Sequence, residues 1–216
     1  MEHSNDDPPW QSVLEYWFPE GRQLDVDPAV HGKHWQWRMR GGADQEVVAR
    51  FSPLAAEGAS GRLDAWAAHP EGRLALIIVL DQFSRSVWRG SARAFAQDPA
   101  ALALALEGLG NGHYEALTTP WFKLVYGLPL GHCEGQDHLD RLNLLVRLRE
   151  EIAAEAPVPL QPFYRSLERQ AQRVREVIAR FGRHPHRNAL LDRPSTPEEE
   201  AYIARGEFPH RRDFRH

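Results

Sequence analysis

Three short stretches of the chain carry residue types that could do chemistry. The first is Leu80-Asp81-Gln82-Phe83-Ser84-Arg85, where an acid, an amide and a base follow directly on an apolar run. On a helix Asp81 and Arg85 lie one turn apart and can pair. Asp81 could then act as acceptor or base, Arg85 as an anion clamp and Gln82 as the group that orients them. The second is the segment 129–138, where His132, Cys133, Glu134, Gln136, Asp137 and His138 crowd a glycine-flanked helix start. Read as helix, it puts Glu134 and His138 on one face and His132 and Gln136 on another. The third is Gly182-Arg183-His184-Pro185-His186-Arg187-Asn188, a proline turn after a helix stop, able to grip an anion or carboxylate. Ionised groups in low dielectric are costly unless paired. Each stretch therefore also reads as a structural network: an Asp81–Arg85 ion pair, Glu134 capping its helix, His132 satisfied by backbone, and Arg and His near a helix C-terminus.

Metal and thiol chemistry fit less well. The His and carboxylate spacing around His132 matches no pattern such as H-E-x-x-H, so no metal and no cofactor is expected. Cys133 is the single cysteine, which excludes an intrachain disulfide and a Cys-rich zinc site. Next to His132 it would point away from it on a helix.

The elements that must position these residues read as helices from end to end. Residues 10–18 place Val13, Leu14, Trp17 and Phe18 at helical spacing and stop at Pro19. The segment 20–42, rich in Gly, His and Trp, reads as a loop. Asp44 reads as the N-cap of a helix striped by Val47, Val48, Phe51, Leu54 and Ala55, with Pro53 expected to kink or restart it. A short helix spans 61–70. The run Leu74–Leu80, seven apolar residues, is compatible with strand or all-round buried helix. Helix formers upstream, and the lack of a second β-rich run to pair with, favour helix. Asp98 reads as N-cap with Pro99 after it and Gly110 near the end. Another short helix covers 119–130. A longer one follows, with Leu139, Leu142, Leu145, Val146 and Ile152 inward and Asp137–Arg141 as an exposed pair. The clearest helix lines up Phe163, Leu167, Ala171, Val174, Ile178 and Phe181 and stops at Gly182. Ser195 or Thr196 caps a last helix whose Glu198, Glu199 and Glu200 suit its positive end.

The whole reads as all-α: a single domain of stacked antiparallel helical hairpins over residues 10–207. Residues 1–9 are expected to be disordered and 208–216 to be a basic, mobile tail. With 216 residues, 42% hydrophobic and 26% charged, the chain can bury one sizeable core. Its net charge of −4 argues against nucleic acid or anionic lipid as partner. The polar N-terminus and the lack of a spanning apolar run argue for a cytoplasmic protein.

The same three stretches resemble a bacterial family of unknown function, number 924 of that series, described as tetratricopeptide-repeat-like. "LDQFSRSVWRG", "PLGHCEGQD" and "GRHPHRNALLDRPSTPEEE" are similar to its runs, as are the earlier "VLEYWF" and "RLDAW". The resemblance implies stacked helical hairpins and brings no catalytic residues. The chain departs from the family pattern at Ser84 for proline, which would soften a turn after Phe83, at Ser86 for asparagine, and at Gly131 and Cys133 for methionine and serine.

Three functional classes remain, in this order. A binding module would hold a small acidic ligand or a peptide in a groove lined by Arg85, Arg183 and Arg187 with His and Trp walls. The candidate set is Asp81, Gln82, Arg85, His132, Glu134, Gln136, Arg183, His186, Arg187 and Asn188. A structural scaffold would bury the same residues as one network. An enzyme would use Asp81, His132 and Glu134 for acid–base work on a small molecule. All three require Asp81, Arg85, His132 and Arg187 to meet.

Overall fold

The computed structural model describes residues 8–206 and 208, and among them every regular element is helical. Apart from Pro8, Pro9 and Phe208, the expected N-terminal segment and C-terminal tail lie outside the described residues. Helix α1 (Gln11–Trp17) buries Val13, Leu14 and Trp17. The segment 20–42 departs from the loop reading, because it contains the 12-residue helix α2 (Pro28–Met39). Asp27 caps α2 by accepting from the amides of Ala29 and Val30, both at 2.9 Å, and Pro28 opens it. What α2 buries is His31 and Arg38 rather than an apolar stripe, so hydrophobic periodicity could not reveal it.

Helix α3 (Asp44–Ala59) runs through Pro53 without restarting. Asp44 is not its cap; Ala43 holds that position, and the Asp44 carboxylate pairs with Arg89 and accepts from Ser86. A 3-10 turn (Asp64–Ala68) leads into α4 (Pro70–Ile77), a π-helical turn (Ile78–Phe83) and α5 (Ser84–Val87) as one continuous helical run. Leu74–Leu80 are at most 3% exposed, so this run is buried on all sides. No turn follows Phe83; the chain goes on helically to Val87.

Helix α6 (Asp98–Gly110) begins after Gln97, which takes the cap position expected of Asp98. A Cβ on Gly108 would lie 1.5 Å from the Tyr126 hydroxyl, so only glycine allows this close approach. Helices α7 (Pro120–Tyr126) and α8 (Leu128–His132) follow, α7 capped by Thr119. Helices α9 (His138–Glu155) and α10 (Gln161–Phe181) form a closely packed antiparallel hairpin, and α10 ends at Gly182 with φ 69°. Leu139 is not part of the buried stripe, being 36% exposed, whereas Arg141 of the expected exposed pair is buried. Helix α11 (Pro197–Arg205) starts with a capping box between Thr196 and Glu199. The π turn packs against α3 and α6, and α6 packs on α8, which brings Asp81, Asp98 and His132 to one place. No helix among the described residues is long and apolar enough to cross a membrane.

Candidate functional site

The site grows out of the π turn. The Ser84 amide reaches back five residues to the Val79 carbonyl, not four. That extra residue shifts the downstream side chains by about 100° relative to an uninterrupted α-helix. Asp81 sits at the middle of this turn with its side chain 1% exposed. Gln82 donates to Asp81 Oδ2, and the Arg85 guanidinium donates to the Asp81 carbonyl. Arg85 also lies 3.0 Å from Asp81 Oδ1.

Across from the turn, at the end of α8, His132 places Nδ1 2.8 and 2.9 Å from the two Asp81 oxygens. Arg187, in the 3-10 turn Pro185–Arg187, donates to the His132 carbonyl at 2.9 Å and to Asp98 Oδ2 at 3.2 Å. Asp98 also accepts from Arg85 Nη2 at 3.1 Å, which closes the ring of groups. Phe95 lies under both guanidiniums, 5.7 Å from Arg85 and 4.5 Å from Arg187. Asp81, Gln82, Arg85, His132 and Arg187 therefore converge.

The other expected residues fall around this ring. Glu134 accepts from the His184 amide at 2.7 Å and pairs with Arg193. Residues 133–137 are not helical, so neither pairing of faces expected there exists and Glu134 caps no helix. Arg183 and Asn188 serve Glu199 instead: Arg183 forks onto it at 2.7 and 2.8 Å, and Asn188 lies at 3.3 Å. Gln136 and His186 are exposed. The tryptophans form no wall here. Trp35 and Trp37 lie on α2, Trp121 is buried and donates to the Gly21 carbonyl, and Trp88 stacks with Arg93. A 570 Å³ cavity lined by Tyr16, His34, Trp37 and Arg50 lies on the α1–α3 side instead. Asp98, Phe95 and Arg193 escaped the sequence reading. Asp98 was hidden by its resemblance to a helix cap.

The electrostatics divide the ring into charged and neutral members. Burial pushes the Asp81 carboxyl up, but the Arg85 charge and the His132 ring outweigh it and hold it below the usual carboxylate range. Burial lowers the His132 imidazole below its ordinary value, against the pull of Asp81 and with help from Arg85. At pH 7 the ring is neutral, with its proton on Nδ1 facing Asp81 and its basic lone pair on Nε2. Burial raises the Asp98 carboxyl, and the nearby Asp81 adds to the rise. The Cys133 thiol is raised by burial too, so it stays protonated and is a poor nucleophile. Among the described residues, no three His, Cys, Asp or Glu side chains converge as metal ligands would.

Fold and ring together define a class: an all-helical protein in which a π turn holds a compact Asp/Arg/His cluster. The chain belongs to the bacterial protein family of unknown function DUF924, whose pattern it matches over residues 13–207. It is similar to the solved structure of a protein of unknown function from Agrobacterium tumefaciens. The two are 28% identical with a TM-score of 0.66, over 91% of this chain and 97% of the other. None of the curated proteins matches the chain.

Proposed function

We propose that the protein binds a small acidic ligand, a carboxylate-bearing molecule or a peptide carboxylate, at the Arg187–His132–Arg85 face of the ring. The observation that supports this reading is the state of Arg187. Its Nη1 is committed to Asp98 and the His132 carbonyl, while its Nε is buried with no hydrogen-bond partner. The Nε–Nη2 edge is the fork that carboxylates bind with two parallel hydrogen bonds. His132 and Arg85, with side chains 16% and 11% exposed, are where a ligand would reach the ring.

Thermal-shift titration with mono- and dicarboxylates and with short peptides tests this. A ligand at about 100 times its Kd stabilises by about 2.7 kcal/mol, a rise of about 5–10 °C for a chain of this size. The expected result is such a rise in the wild type and its loss in Arg187→Gln. No response, or an equal response in the variant, overturns the reading and leaves the ring as a structural network.

One observation favours a second reading, acid–base catalysis on that ligand: a neutral imidazole whose Nδ1 is held by a buried carboxylate is oriented as a general base. Mass spectrometry of a bound ligand incubated with wild type and with His132→Gln separates the two. Conversion that depends on His132 supports catalysis, and an unchanged ligand supports binding alone.

A further inference from the structure

The 570 Å³ cavity on the α1–α3 side takes no part in the ring, and its size is that of a small-molecule site. Three helices line it. Helix α1 contributes Glu15 and Tyr16, α2 contributes His34 and Trp37, one turn apart, and α3 contributes Arg50. Its aromatic wall is held in place. The Tyr16 hydroxyl donates to the Ala43 carbonyl at 2.9 Å, and Trp37 meets the Tyr16 ring edge-on with centroids 5.3 Å apart. A Cβ on Gly42 would lie 2.7 Å from Trp37 Cδ1, so the chain closes on the indole from that side. Both rings are half-buried, which leaves aromatic surface open to the cavity.

The charged groups of the lining are not equally matched. The Arg50 guanidinium is paired with Glu46 and lies over the Tyr16 ring, 5.3 Å from its centre. His34 turns Nδ1 inward, buried and 3.6 Å from Glu20 Oε1, and Glu20 is itself paired with Arg38. Glu15 differs. It is exposed, accepts a hydrogen bond from the neutral Gln11 amide at 2.9 Å, and has no ion pair among the described residues. Arg22, on which its charge acts, forks onto Glu71 at 2.6 and 2.9 Å and reaches Gln11, not Glu15, at 3.4 Å. The Glu15 charge therefore stands unmatched beside two aromatic rings.

We infer that this cavity binds a small aromatic molecule carrying a protonated amine, its ring against Trp37 and Tyr16 and its ammonium at Glu15. Offset or edge contacts with the two rings supply the apolar part of the binding. The carboxylate sets the charge preference, because like charges brought together across an interface are disfavoured. An aromatic acid would meet Glu15 and Glu46, with the Arg50 charge already paired. The cavity shares no residue with the Arg187 ring and selects the opposite charge.

The test uses tryptamine, indole and indole-3-propionate, one ring carrying a cation, no charge and an anion, each titrated at pH 7 and constant ionic strength by calorimetry. Saturable binding of tryptamine is expected, about two- to fivefold tighter than indole, with indole-3-propionate weakest. Glu15→Gln, a change at an exposed side chain, is expected to fold normally and to bind tryptamine and indole alike. Arg187→Gln is expected to keep the wild-type order, which separates this site from the ring. Trp37→Leu is expected to lose binding of all three. If Trp37→Leu does not fold, the Trp37 indole N–H signal of the wild type decides by NMR: a shift on tryptamine titration supports the site, and an unmoved signal overturns it. No binding of tryptamine, equal or tighter binding of indole-3-propionate, or a tryptamine preference that survives Glu15→Gln also overturns it.

Discussion

Two buried polar networks solve the same electrostatic problem differently. In the first, Glu20 receives the Arg38 fork at 2.7 and 2.8 Å, and His31 Nδ1 lies 3.1 Å away. The side chains of Glu20, His31 and Arg38 are all 0% exposed, with Phe18 and Trp35 against the guanidinium. One acid and one base close on each other, and the network reaches toward solvent through His34, 29% exposed, whose Nδ1 lies 3.6 Å from Glu20 Oε1. In the second, Asp81 is equally buried but its partners are not, because Arg85 and His132 reach the surface. A pair with both side chains fully buried, such as Glu20–Arg38, specifies how helices pack. A ring with one wet edge can also meet a ligand.

The largest expected effect breaks the Glu20–Arg38 pair. Glu20→Gln strands the Arg38 charge and should cost about 3–5 kcal/mol, read as a fall in denaturation midpoint. Glu20→Leu combined with Arg38→Met should recover most of that loss. If it does not, the pair does more than neutralise itself.

Acid should act on the same network. The Glu20 carboxyl is held at about 2 against an ordinary 4.5, because its hydrogen bonds from Arg38 and His31 outweigh burial. Its contribution of about 3 kcal/mol is complete above pH 4.5 and is lost as pH falls toward 2. Equilibrium unfolding from pH 6 to 2 should show this slope in the wild type and a flatter one in Glu20→Gln.

Asp81→Asn should cost less, about 1–3 kcal/mol, since Arg85 keeps Asp98 and its contact with solvent. A loss equal to that of Glu20→Gln would erase the contrast between the networks and make both structural.

The smallest effect concerns His132. Its lowered pKa means that the unfolded chain takes up a proton first as pH falls through 6.5. The stability it contributes is thus present above pH 6.5 and declines below it. NMR should find its ring neutral at pH 7 with the proton on Nδ1; a charged ring at pH 7 would remove the base from the acid–base reading.

The two networks were not equally legible. Asp81, Arg85, His132 and Arg187 stood out because each polar residue interrupts or abuts an apolar or glycine-rich stretch. Glu20, His31 and Arg38 lie in a segment that lacks an apolar stripe and so passed for a loop, although Asp27-Pro28 was a readable helix start.

Sequence alone determined the helical class, the buried run at Leu74–Leu80, the stop at Gly182 and a last-helix start at Ser195 or Thr196, because these rest on local backbone preferences and periodicity. The tertiary structure decided what is set by contacts between distant segments. It turned Asp98 from a cap into the bridge between Arg85 and Arg187, and it directed Arg183 to Glu199 rather than to the ring. It also placed the π turn, whose five-residue hydrogen bond no local propensity announces. A side chain's partner is chosen by which helices pack together, and that choice is made by the whole core at once.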